Sequence, residues 1–103
     1  ILFIETGVTS LRGNALSPWV HPEEVPELPV DQVEQANFYQ AMFETYWGEP
    51  WFMGWCFWEW PVRMYRKADA ATDRSFKFYG KKAEAILRSW YAKPRIARMK
   101  YQP

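Results

Sequence analysis

Apolar and polar positions divide the chain into segments of two different periods. Ile1-Leu2-Phe3-Ile4 is a short apolar run that meets Glu5 and then Thr6-Gly7. It predicts a strand over residues 1–5. At a period of two, Ile1, Phe3 and Glu5 share one face, and Leu2 and Ile4 share the other. Both faces are apolar apart from Glu5, which fits a parallel strand buried on both sides. Asp31 then opens a helix as a cap, with Glu34 three positions on in a variant of the capping box. Ala36, Tyr39, Phe43, Tyr46 and Trp47 keep helical spacing. Gly48 ends the helix and Pro50 prevents its return.

A second strand is predicted over Trp51 to Trp58. Phe52, Gly54, Cys56 and Trp58 share one face, and Trp51, Met53, Trp55 and Phe57 the other. Pro61 ends it. A last helix follows Gly80, with Ala83, Ile86, Leu87, Trp90 and Tyr91 at i, i+3, i+4, i+7 and i+8. Pro94 stops it. Between these segments lie two loops. Residues 6–30 are broken by Gly7, Gly13, Pro18, Pro22, Pro26 and Pro29. Residues 62–79 are polar, with a short helical turn near Ala68 to Ala71. Loops of this length are usually functional.

Strand, helix, strand, helix predicts an α/β chain built as about two βα units of a (β/α)8 barrel, over residues 1–92, with a tail at 93–103. In a barrel, Phe52, Gly54, Cys56 and Trp58 would face inward. Gly54 and Cys56 are small enough for a crowded interior, and Trp58 would reach the mouth on the same side as Glu5. A carboxylate at a strand end, beside a Gly that turns the chain away, stands where barrel enzymes keep catalytic acids. The chain has 103 residues, and a closed barrel takes roughly 250. It begins inside an apolar run with no Met, so the N-terminus is expected to be cut. Any export signal would lie upstream, which leaves the compartment open.

Charge narrows the function classes. With 13 basic and 12 acidic residues the net charge is +1, too balanced for an electrostatic nucleic-acid binder. Arg95, Arg98 and Lys100 read as a solvated tail. The single Cys56 excludes an internal disulfide and a cysteine-based metal site, and the single His21 leaves no imidazole cluster. No metal and no organic cofactor is expected. No apolar run approaches the ~20 residues of a membrane span. Aromatic residues make up 19% of the chain, with seven Trp. Half of these rings are expected in the core. The rest suit the flat C–H faces of sugars.

Several stretches carry a family resemblance. They are Phe3-Ile4-Glu5-Thr6-Gly7, Pro18-Trp19, Glu34-Gln35-Ala36 with Tyr39, Trp47, Glu49-Pro50-Trp51-Phe52 with Gly54, Trp58 and Trp60, and Gly80-Lys81 through Ala83-Glu84 to Leu87 and Trp90-Tyr91. Taken in order, they resemble the C-terminal portion of glycoside hydrolase family 113, whose characterised members are endo-β-1,4-mannanases on a (β/α)8 barrel. The resemblance implies that Glu5 ends the seventh strand as the nucleophile of a retaining glycosidase. It implies that Trp58 ends the eighth strand and floors the sugar subsite. The family often has Lys between its two tryptophans, where this chain has Glu59. Its acid/base Glu belongs to the fourth strand, which this chain lacks.

Retaining hydrolysis needs two carboxyl groups about 5–5.5 Å apart. One attacks the anomeric carbon; the other protonates the leaving oxygen and later activates water. Glu5 suits the first role. Glu59 stands near the same mouth, but alternation turns it away from the Trp58 face. It reads as a rim residue that bonds sugar or pairs with Arg63. Trp58, Trp60, Trp19 and Glu59 are the candidate substrate-binding residues, and His21 reads as an ordinary exposed loop histidine rather than a substrate contact. Trp47, Trp51, Trp55, Trp90, Tyr39 and Tyr91 read as packing residues and Cys56 as a small buried one. The expected parent is a retaining glycosidase acting on β-1,4-linked mannan-type polysaccharide. By itself the chain is expected to be inactive. Two other readings stand open: an aromatic glycan-binding module without catalysis, and a part-barrel that associates with the rest of the barrel or with another copy to cover its strand edges.

Overall fold

The computed structural model describes residues 1–94. Its main elements are strand β1 (Leu2–Thr6), helix α1 (Gln32–Tyr46), strand β2 (Gly54–Phe57) and helix α2 (Lys82–Tyr91), with 3-10 turns at Pro22–Glu24 and Lys67–Ala71. The strands pair in parallel, so the α/β order expected from the sequence holds. The tail cluster Arg95, Arg98 and Lys100 lies outside the described residues.

α1 starts where Asp31 accepts a hydrogen bond from the Glu34 N–H at 2.9 Å. The reciprocal half of the capping box is absent. Glu34 Oε2 accepts instead from the Gly13 N–H at 2.7 Å, and the Asp31 N–H donates to the Ser10 carbonyl. The helix therefore starts as part of the loop after β1. Gln35, Ala36, Tyr39 and Phe43 form its buried face. Ala83 and Leu87 do the same for α2. Phe43 stacks on Trp90 with ring centroids 5.4 Å apart, and Trp90 Nε1 donates to Gln40 Oε1 at 2.9 Å. The core cluster is aromatic: Tyr39, Phe43, Phe52, Trp55 and Phe78, with Ala83 and Leu87. Burial pushes the Tyr39 phenol well above the usual tyrosine range.

The sheet buries one face. Phe3 meets Tyr46 and Phe52, and Phe57 meets Tyr39 and Phe43. The opposite face is open, with Leu2 51% and Ile4 78% exposed. Burial on both sides is therefore not observed, because no described element packs there. Cys56, expected to be buried, is exposed. Phe52, assigned by alternation to the inward face, is buried among the core rings and lies 4.3 Å from Trp55. The reason is local. β2 begins only at Gly54, whose φ of +140° breaks the extended chain. Alternation cannot be carried back across it. Trp51 and Tyr91 remain largely exposed at the edges of the core.

The loops are stapled by long-range polar contacts. Lys81 has no exposed side-chain surface. Its ammonium donates to Ser10 Oγ at 2.8 Å, Asp73 Oδ2 at 2.6 Å and the Ser75 carbonyl at 3.1 Å. Gln35 Nε2 donates to the Val8 carbonyl at 3.0 Å and more weakly to those of Phe76 and Lys77. Burial opposes charge on both members of the Lys81–Asp73 pair. For Asp73, hydrogen bonds from Lys81 and Ser75 outweigh that effect and hold the carboxyl below the usual range. For Lys81, burial outweighs the carboxylate and lowers the ammonium. The three acceptors around Nζ favour the ionised pair near neutrality.

A carboxyl with a depressed folded pKa binds fewer protons in the folded state. Its stabilisation is present above about pH 4 and is lost as pH falls through the folded value. Asp73→Asn should therefore lower stability at neutral pH by about 2 kcal/mol, at the low end for a buried pair because Asp73 keeps some solvent. It should also flatten the acid limb. Urea unfolding followed by fluorescence from neutral to acidic pH checks both, and an unchanged acid limb would acquit Asp73.

Candidate functional site

The ends of β1 and β2 form the site, and a register slip orients it. Leu2 pairs with Gly54 and Phe3 with Trp55, but Thr6 pairs with Phe57. Three steps on β1 thus match two on β2. An extra residue of this kind re-aims the side chains that follow it. Phe3 packs on the helices, whereas Glu5 lines a cleft with Trp58. Strict alternation had put Phe3 and Glu5 on one face, and the slip separates them.

The cleft has a volume of about 340 Å³ and is lined by Glu5, Gly7, Pro18, Trp19, His21, Trp58 and Phe76. The Trp58 N–H donates to the Thr6 carbonyl at 2.8 Å, which ties the β2 end to the residue after Glu5. Gly7 has a steric reason beyond turning the chain. A Cβ there would stand 1.8 Å from the Trp58 carbonyl oxygen. The peptide between Trp58 and Glu59 is cis. Trp19 is 72% exposed on its loop, and Trp58 is about half exposed.

Three of the five predicted site residues, Glu5, Trp19 and Trp58, thus meet in one cleft, and His21 joins them. Trp60 does not line it. Its ring packs 5.4 Å from Phe78 and 5.6 Å from Tyr79. Glu59 does not pair with Arg63. Its carboxylate lies 3.5 Å from Lys77 Nζ. Phe76 was hidden in a loop read as polar. Its only signal was the alternation of Phe76 and Phe78 with Ser75, Lys77 and Tyr79. Among the described residues no group of three or more His, Cys, Asp and Glu side chains is placed to hold a metal ion. No described helix is long and apolar enough to cross a membrane.

The model of glycoside hydrolase family 113 matches residues 1–81. The chain belongs to this family. Two solved structures from the family are similar to it. A β-1,4-mannanase, solved as a complex, is 31% identical with a TM-score of 0.78 over 87% of this chain. The β-mannanase AaManA from Alicyclobacillus acidocaldarius, in complex with ManMIm, is 38% identical with a TM-score of 0.75 over 88% of this chain. The chain spans 28% of the length of each. No curated protein matches it.

In this family 113 chain the contact at Gly7 gives a direct test of the site's construction. Gly7→Ala forces the Trp58 backbone away and should cost about 1–3 kcal/mol as an overpacking change. Gly48, where a Cβ meets nothing within 4 Å, is the control. Urea denaturation midpoints should fall for Gly7→Ala and hold or rise for Gly48→Ala. Equal midpoints would refute the steric account.

Proposed function

We propose that the chain supplies the nucleophile and a sugar platform to a retaining glycoside hydrolase acting on β-1,4-linked mannan-type polysaccharide. The observation that carries this reading is the meeting of Glu5 and Trp58 in one cleft, at the same end of two parallel strands, in a family 113 chain. Its structural neighbours are mannanases, which supports the substrate class.

In this reading β1 and β2 are the seventh and eighth strands of a (β/α)8 barrel. The remaining units pack on the open face of Leu2, Ile4 and Cys56, as both-sided burial of a parallel sheet requires. The Glu5 carboxylate attacks the anomeric carbon of the sugar seated on Trp58. The glycosyl–oxygen bond breaks as a second carboxyl group gives its proton to the leaving oxygen. Water, deprotonated by that same group, then releases the sugar from Glu5. The second carboxyl comes from elsewhere in the barrel. Glu59 is a poor candidate for it, because its carboxylate is engaged by Lys77. Trp19 extends the platform outward along the cleft. Trp60, packed on Phe78 and Tyr79, acts as a prop beneath the rim.

Glu5→Gln keeps the shape of the side chain and removes the nucleophile. In the full chain, release of reducing ends from β-mannan should fall by about a thousandfold or more, while mannooligosaccharide still binds. A rate within tenfold of the parent would defeat this reading.

A further inference from the structure

The cleft has a second wall that the reaction above leaves without a role. His21 stands at the head of the Pro22–Glu24 turn, and its imidazole lines the cleft with Glu5, Trp19 and Trp58. The ring meets Phe76 edge-on, with centroids 5.4 Å apart. The backbone around it is fixed from two sides. The His21 N–H donates to Glu24 Oε2 at 2.8 Å, and the His21 carbonyl accepts from the Glu24 N–H at 3.0 Å. From the other loop, the Arg74 guanidinium donates to the carbonyls of Pro22 at 3.0 Å, Val25 at 2.6 Å and Pro26 at 3.2 Å. A charged side chain from one loop is thus spent on holding a short turn of the other, and that turn carries His21 to the cleft.

The chemistry of the lining suits one ligand class. The imidazole offers a hydrogen-bonding nitrogen on either side of its ring, while Trp19, Trp58 and Phe76 offer apolar faces. The cleft lining holds one carboxylate and no Lys or Arg. A neutral pyranose chain, with hydroxyls around its rim and C–H groups on its faces, matches this set. Among the described lining residues, an acidic glycan would meet Glu5 and no cation.

We propose that His21 is a substrate-binding residue of this cleft. Its imidazole, backed by Phe76, hydrogen-bonds the hydroxyls of a neutral sugar unit next to the one at Glu5, and Arg74 is the positioning residue that holds its turn. The inference rests on the glycosidase reading for the ligand class, and its test does not read hydrolysis.

The test is calorimetric titration of β-1,4-mannohexaose into the full chain carrying Glu5→Gln, which separates binding from turnover. His21→Leu keeps an apolar contact for Phe76 but loses both hydrogen-bonding atoms. It should weaken binding by about tenfold, the worth of about one good hydrogen bond. His21→Gln restores a donor and an acceptor and should stay within about threefold of its parent. Arg74→Ala should weaken binding in the presence of His21 and add little once His21→Leu is in place. The His21 ring resonances, identified by their loss in His21→Leu, should shift during a mannohexaose titration of the parent. The titration itself is made on the parent, so no variant's affinity enters this reading, and His21→Gln gives the same identification where His21→Leu does not fold. Binding unchanged in His21→Leu, a Gln variant as weak as Leu, additive Arg74 and His21 effects, or unmoved ring resonances would overturn the proposal. With hydrolysis still dependent on Glu5, such a result would sink His21 alone and leave the glycosidase reading standing.

Discussion

The buried ammonium of Lys81 is the interaction on which the cleft depends. It sits where three segments converge: the loop after β1 at Ser10, the loop after β2 at Asp73 and Ser75, and the start of α2, which Lys81 immediately precedes. Both loops are largely irregular, so most of their backbone groups pair in no helix or sheet ladder. Their buried backbone groups must still find partners, because an unpaired one costs about as much as a lost hydrogen bond. Lys81, Gln35 and Arg74 meet that need from a distance. Each reaches several oxygen acceptors, and each joins segments far apart in sequence. The walls of the cleft, with Trp19 and His21 on one loop and Phe76 on the other, are thus held by polar staples over an aromatic core.

That core explains the unusual composition. Tyr39, Phe43, Phe52, Trp55 and Phe78 fill the space between one sheet face and two helices. Large rings let a few residues bury much apolar area, which matters in a layer only two strands wide. The rings left outside it fall into two groups. Trp58 and Trp19 line the cleft, while Trp60 and Trp51 pack at the margins. Aromatic content in this chain therefore serves packing first and leaves a smaller set for ligand.

Legibility followed the range of the interactions. Helical periodicity revealed the buried faces of α1 and α2, because Ala36, Tyr39, Phe43, Ala83 and Leu87 repeat at local spacing. Asp31 was legible as a cap for the same reason. The partner of Glu34 was not, since Gly13 lies 21 residues away. Nor was the role of Lys81, whose acceptor Ser10 is 71 residues away. In the site, Glu5 and Trp58 stood out as strand-end residues. The sequence did not show why they share a cleft, because a register slip leaves no local mark. Strict alternation would even have sent Glu5 toward the helices with Phe3. For Glu59 the ion-pair partner was missed in a similar way, since the nearest cation in sequence, Arg63, lost to Lys77.

The slip and Gly7 together make the relation between Glu5 and Trp58 a property of the chain itself. A one-residue change of register turns side chains to the opposite face, so the β1–β2 pairing must be fixed on both sides of the slip. Before it, Phe3 is anchored among Tyr46, Phe52 and the core. After it, the Thr6 carbonyl accepts from the Trp58 N–H, and Gly7 lies so close to the Trp58 carbonyl that no side chain fits between. The irregular residue is therefore bracketed by one apolar anchor and one backbone anchor, and neither uses the open sheet face. Whatever covers Leu2 and Ile4 can supply further groups to the cleft, but the backbones that carry the carboxylate and the indole are tied together without it.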